Sequence, residues 1–311
     1  MSEPVITVTG PTATGKTRLA AALAKELNGE IISADSRQVY RRMDIGTGKD
    51  IEDYSVGGVA IPYHLIDIAE PGEEYNVAKW QQAAYEAMAG IKGRGRRVIL
   101  CGGSGMYVEA LLKGYRLSPV PLQPELRAEL EKHSEDELVQ MLASFRPLHN
   151  HTDTCEHHRL IHALELEIYY HNHPELQTKS VQSYIFGLKG DRDLIRSKIT
   201  ERLKTRLENG LIEEVENLIS ENVSQKQLLK YGLEYKFVTM YLQGEISKDT
   251  LFEKLNIAIH QFSKRQMTWF RKMERDGFVI DWIDIALPFE DKVSYCLKKL
   301  SEINRGDCAI S

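Results

Sequence analysis

The residues best placed to do chemistry are Gly10-Pro11-Thr12-Ala13-Thr14-Gly15-Lys16-Thr17, which satisfy every fixed position of the phosphate-loop pattern G-x-x-x-x-G-K-[ST]. That spacing suits anion capture. Glycines let successive backbone N–H groups turn toward one phosphate, a helix start adds roughly half a positive charge, and Lys16 supplies a full one. Thr17 is placed to hold Mg2+. The motif alone fits kinases, ATPases and transferases that expel diphosphate equally well. Three more candidates each follow an apolar run: Asp35 after Ile31-Ile32-Ser33-Ala34, Ser104 after Val98-Ile99-Leu100-Cys101-Gly102-Gly103, and Arg192 after Tyr184-Ile185-Phe186-Gly187-Leu188. A plainer reading stands beside each, a helix cap for Asp35 and Ser104 and a surface cation for Arg192.

These residues need a scaffold that brings strand ends together. Val5 to Thr9 is uncharged and rich in β-branched residues, and Leu19, Ala20, Leu23, Ala24 and Leu27 then repeat at helical spacing, so the loop joins a buried strand to a helix. The runs at 31–34, 64–68, 98–101 and 184–188 read as further strands, and Asn76 opens a helix to about Ile91 whose stripe includes Trp80 as a core residue. In open parallel sheets ligands bind at the carboxyl edge, so Asp35 and the phosphate loop should face one crevice. His64 and Asp67 are read as structural, and 40–63, rich in glycine, as a mobile cover.

Pro119, Pro121 and Pro124 mark a boundary, beyond which 123–132, 134–145 and 155–171 look helical, the second opened by a capping box of Ser134 and Glu137. The expected architecture is α/β: a P-loop NTPase-like core with a parallel sheet flanked by helices, plus an inserted all-α domain. Its limits are 1–117 for the first part of the core, 118–183 for the insertion, and 184–311 for the rest with C-terminal helices. The insertion is rich in histidine, including His149, His151, His157, His171 and His173. His158 and His162 share a helix face, but no second pair or acidic ligand completes a zinc spacing. From Asp249 to Arg275 a long helix interleaves Lys264, Arg265, Arg271 and Lys272 with Phe262, Trp269 and Phe270, a pattern that suits either a nucleic-acid backbone or an aromatic core.

The 311-residue chain is 42% hydrophobic and 27% charged, which is ordinary for a globular protein. No run approaches the ~18 apolar residues of a membrane span, and the first residues carry no signal core, so a cytoplasmic protein without a membrane partner is expected. Cys101, Cys155, Cys296 and Cys308 are far apart, against a disulfide frame or a cysteine zinc site. A net charge of −5 argues against a nonspecific nucleic-acid coat and leaves room for a local basic groove. A monomer is expected.

Taken together, the residues resemble the tRNA dimethylallyltransferase family over most of the chain. The matching blocks are Gly10 to Thr17, Asp35 to Thr47, Tyr63 to Asp67, Gly102 to Tyr107, Arg159 to Glu165, and Lys264 to Arg271. The resemblance implies that the crevice holds dimethylallyl diphosphate rather than ATP, and that the insertion grips the anticodon stem-loop of a tRNA. It implies that the eight residues Gly10, Pro11, Thr12, Ala13, Thr14, Gly15, Lys16 and Thr17, with Mg2+ and Arg192, hold the diphosphate. Asp35 would take the proton of the adenine exocyclic amine, beside Ser104. Asp35, Ser36, Arg37, Gln38, Arg127 and the turn Arg159-Leu160-Ile161-His162-Ala163 would contact the RNA, with Lys264 and Arg265 of the basic helix. His162 and His260 stand where the family usually has arginine. Two other readings stay open. One is a small-molecule P-loop kinase or an adenine-nucleotide prenyltransferase; the other is an RNA-binding module without chemistry.

Overall fold

The computed structural model of the protein describes residues 3–117, 120–145, 156–176 and 178–304. Ser118, Pro119, His149, His151, Cys155 and Cys308 lie outside the described residues. The chain divides into two compact units, Met1–Lys113 with Ser180–Ser311, and Gly114–Lys179.

The larger unit is built on six parallel strands. In chain order it begins with β1 (Val5–Thr9), α1 (Lys16–Glu26), β2 (Gly29–Ser33), a small hairpin of β3 (Ser55–Val56) and β4 (Val59–Ala60), then β5 (Tyr63–His64), α2 (Val77–Gly93), β6 (Arg97–Gly102) and α3 (Gly105–Lys113). The second unit holds α4 (Pro124–Leu130), α5 (Glu135–Phe145) and α6 (His157–Asn172). The larger unit resumes with β7 (Ser183–Lys189), α7 (Arg192–Glu208), α8 (Leu211–Ser220), α9 (Gln225–Leu228), α10 (Leu233–Leu242), α11 (Lys248–Arg275), β8 (Ile280–Asp284) and α12 (Phe289–Asn304). Sheet order is β5-β2-β6-β1-β7-β8.

Strands β1 and β2 are buried at every position, as expected when helices cover both sheet faces, with Glu30 a buried charge among them. Register sets the carboxyl edge level: Thr9 pairs with Gly102 and with Gly187, and Ser33 with Cys101. The loops after β1, β2 and β6 therefore emerge side by side. Helix α1 buries Leu19 through Ala24 against the sheet, and Trp80 of α2 is fully buried with its Nε1 donating to the Ser33 carbonyl at 3.0 Å. His64 is structural as expected: its Nε2 meets the buried Glu30 carboxylate at 2.6 Å, and two contacts from Arg94, at 2.9 and 2.7 Å, complete that cluster. Asp67 is likewise taken by the Lys49 ammonium.

Among the described residues of the insertion, α4, α5 and α6 pack around a core of Leu130, Leu138, Leu142, Leu160, Ile161, Ala163 and Leu164. The capping box forms, with Glu137 Oε2 accepting the Ser134 N–H at 2.8 Å. Its limits differ from the expected 118 and 183. Thr178 Oγ1 donates to the Gly114 carbonyl at 2.6 Å within this unit, while Ser183 pairs with Val5 and so belongs to the sheet. Among the described residues no helix is long and apolar enough to cross a membrane.

Candidate active site

The phosphate loop turns tightly between β1 and α1 because Gly10 (φ 140°), Ala13 (φ 63°) and Gly15 (φ 79°) all adopt positive φ. At Gly10 only hydrogen fits, since a Cβ would fall 2.5 Å from the Leu188 carbonyl oxygen of the neighbouring strand. Alternating left-handed positions aim N–H groups into one concavity. The loop is also braced internally: Thr14 Oγ1 donates to the Pro11 carbonyl at 2.8 Å and Lys16 Nζ to the same oxygen at 2.7 Å.

A cavity of about 580 Å³ opens in front of the loop. It is lined by Thr12 to Leu19, by Asp35 and Gln38 after β2, by Thr47, Gly48 and Asp50, by Cys101 to Gly103 at the end of β6, and by Lys198, Arg202, Phe289 and Lys292. The sheet edge thus brings Asp35 and the phosphate loop to one cavity, as the strand order demands. Asp35 Oδ1 accepts the Arg37 N–H at 2.9 Å, a local turn that fixes the carboxylate. Gln38 is held at both ends of its amide, Oε1 accepting from Ser33 Oγ at 3.0 Å and Nε2 donating to the Gly48 carbonyl at 3.0 Å.

Several expected residues sit differently. Gly10 and Pro11 shape the turn without lining the cavity. Thr12 has its N–H taken by Gln266 Oε1 at 2.8 Å and its hydroxyl by Arg202, so the anion-facing part of the loop begins at Ala13. Ser104 does not line the cavity; its Oγ accepts the Ser36 N–H at 3.2 Å and ties the loop after β6 to the loop after β2. Ser36 and Arg37 are partly buried beside it and are also outside the lining. Arg192 is exposed at the start of α7 and is not among the residues that line the cavity. Arg202, later on the same helix, is. Its signal was present in the helical spacing, because Ile195, Ile199 and Leu203 mark the buried face of α7 and Arg202 stands next to it.

Burial dominates the electrostatics. It lowers the Lys16 ammonium to about 8, with Arg202 adding to the effect and Cys101 and Asp35 opposing it. The Arg202 guanidinium is lowered to about 10 by burial and then by Arg206. The Cys101 thiol is pushed up to about 12 by burial, which leaves it an inert wall. A pocket that makes two cations uncomfortable is prepared for an anion.

The residues expected to meet RNA divide by exposure. In α6, Leu160, Ile161 and Ala163 are buried in the insertion's own core and cannot offer side chains to a partner; Arg159 and His162 of the same turn are exposed. Arg127 is exposed and doubly bonded to Glu165 at 3.0 and 2.8 Å. On α11, Lys264 and Arg265 are exposed while Gln266 and Phe270 are buried, so that helix has one core face and one basic face.

The family model described as IPP transferase matches residues 38–273, and one described as isopentenyl transferase matches residues 4–58. The chain is 53% identical over 300 residues to tRNA dimethylallyltransferase 2 of Bacteroides fragilis, covering 96% of this chain and 98% of that one. It is 52% identical over 302 residues to tRNA dimethylallyltransferase 1 of Parabacteroides distasonis, with 96% and 98% covered. Among solved structures, the full-length tRNA isopentenylpyrophosphate transferase from Bacillus halodurans superposes with a TM-score of 0.73 at 31% identity, covering 96% of each chain. A phosphate loop sharing its cavity with Asp35 is thus found in a chain that belongs to the IPP transferase family.

Proposed function

We propose that the protein transfers the dimethylallyl group of dimethylallyl diphosphate to the exocyclic amine, N6, of the adenosine 3′ of the anticodon in tRNAs, releasing diphosphate. The observation that carries this is the single cavity lined by Lys16, Thr17, Arg202, Asp35 and Gln38. Its size leaves room for a small diphosphate and a flipped base together. The amine lone pair attacks the allylic carbon, the carbon–oxygen bond breaks with its electrons leaving on diphosphate, and the amine proton passes to Asp35. An aromatic amine is a weak nucleophile, so most of the rate should come from neutralising the departing diphosphate. Lys16, the loop N–H groups from Ala13 to Thr17, and Arg202, all of residues that line the cavity, would do that work. Base extraction costs least from a loop that is already unpaired.

Among the described residues no group of three His, Cys, Asp or Glu side chains gathers. A Mg2+ ion would be held by the Thr17 hydroxyl at the cavity wall, together with diphosphate oxygens and water. When bound, the ion neutralises charge on the leaving group. The exposed Arg159, His162, Lys264 and Arg265 would contact the tRNA.

Incubation with labelled dimethylallyl diphosphate, Mg2+ and unmodified tRNA tests the reading. Label in the RNA is expected. Label in a free adenine nucleotide would point instead to a nucleotide prenyltransferase, and no transfer to either would reject prenyl transfer.

A further inference from the structure

The cavity wall formed by Thr47, Gly48 and Asp50 belongs to a turn that the phosphate loop does not support. Glu214, from α8, holds it. Its Oε2 accepts the backbone N–H groups of Asp44 and Ile45 at 2.8 and 2.7 Å, its Oε1 accepts that of Gly46 at 3.0 Å, and Tyr235 donates its hydroxyl to Oε1 at 2.7 Å. Three successive N–H groups converging on one anion is the arrangement a phosphate loop offers to phosphate, filled here by the chain's own carboxylate. The turn is then wound on itself, with the Gly48 N–H on the Ile45 carbonyl at 3.2 Å and the Lys49 N–H on that of Asp44 at 3.1 Å.

Two more groups close the clamp. Lys49 is buried beneath the turn and donates to the Tyr40 carbonyl and the Asp44 carboxylate, both at 2.6 Å, and to Asp67. Gly48, at φ 65°, lies so close to the Arg206 guanidinium that a Cβ there would collide with it. What the clamp delivers to the cavity is the Gly48 carbonyl, which accepts one N–H of the Gln38 amide at 3.0 Å while Ser33 Oγ fixes the amide's other end. The amide is left with a second N–H and a second lone pair, in a defined order, on a residue that lines the cavity.

We propose that Glu214 is a positioning residue for the acceptor base: by fixing the Asp44–Gly48 turn it sets the orientation in which the Gln38 amide meets that base. The inference rests on the RNA-prenylating reading and extends it to a side chain outside the cavity. Glu214 should matter for the acceptor and not for the donor, whose diphosphate is assigned to the phosphate loop.

The test is a double-mutant cycle of Glu214→Gln and Gln38→Ala, read as kcat/KM for an anticodon stem-loop, with donor affinity measured separately by calorimetry using dimethylallyl diphosphate. Glu214→Gln should lower kcat/KM for the stem-loop about tenfold to a hundredfold, the scale of a small misplacement at a site. Donor affinity should stay within about twofold, and in the Gln38→Ala background the same change should cost less than about twofold, because the group it positions is already gone. Tyr235→Phe, which removes one bond to the carboxylate and leaves the anion in place, runs through the same cycle should Glu214→Gln fail to fold. Independent, multiplying effects, or an equal loss of donor affinity, would overturn the inference while leaving RNA labelling by the unaltered protein intact. No RNA labelling by the unaltered protein would overturn the underlying reading, and the inference with it.

Discussion

Gln266 accepts the backbone N–H of Thr12 at 2.8 Å, a bond that joins residues 254 positions apart and stitches α11 to the phosphate loop. The other end of the same amide donates to the Gly103 carbonyl at 2.9 Å, so one buried side chain spaces the loops after β1 and β6. Gln266→Ala would orphan both backbone groups, at about 1–3 kcal/mol for a buried polar group left unpaired. Thermal unfolding should move down accordingly, and donor affinity should fall with it. An unchanged Tm would show that the stitch contributes nothing.

Lys16 gives the site a pH dependence of definite sign. In the free protein burial holds its pKa near 8, below the ordinary 10.5, and a bound diphosphate must raise it by favouring the cation. Donor affinity should therefore be flat below pH 8 and decline above it, with net proton uptake on binding. Calorimetric titration of diphosphate in two buffers of different ionisation enthalpy measures that proton directly. The same shift penalises the unliganded fold fully below pH 8 and releases it toward 10.5, so Lys16→Met should raise Tm at neutral pH while abolishing donor binding.

Arg202 and Arg192 share α7 and should behave oppositely. Arg202 lines the cavity and bonds to Thr12, so Arg202→Ala should raise the donor KM about tenfold to a hundredfold, the worth of a hydrogen bond to a charged group. Arg192 is exposed, and Arg192→Ala should change the donor KM by less than about twofold. Steady-state kinetics with varied donor separates them.

The basic face of α11 bears on binding in solution as well. Lys264 and Arg265 are exposed, and if they neutralise tRNA phosphates, reversing both charges should weaken tRNA binding and flatten its dependence on salt. Filter binding across a salt series reads the slope. An unaltered slope would assign that face to solvent alone.

How much of this was readable from residue order depends on the range of the interaction. The phosphate loop, Asp35 and the shared sheet edge were legible because each is a local motif whose place follows from strand-then-helix grammar. The sixth strand, Ile280–Asp284, was not legible, because Asp281 and Asp284 interrupt a short apolar run that becomes a strand only by pairing with β7. Gln266 and Glu214 act across long stretches of chain, and nothing near them in sequence announces the partner. Leu160, Ile161 and Ala163 were assigned to RNA through a matching block, although their spacing with Leu164 already describes a buried helix stripe.

The most direct test of the central claim is single-turnover prenylation of an anticodon stem-loop by Asp35→Asn. Asp35 stands in the phosphate-loop cavity, one oxygen fixed by the Arg37 N–H at 2.9 Å. Loss of the base should slow the chemical step about 10²- to 10⁴-fold while RNA and donor affinities hold. A variant that prenylates the stem-loop at the unaltered rate would contradict the account.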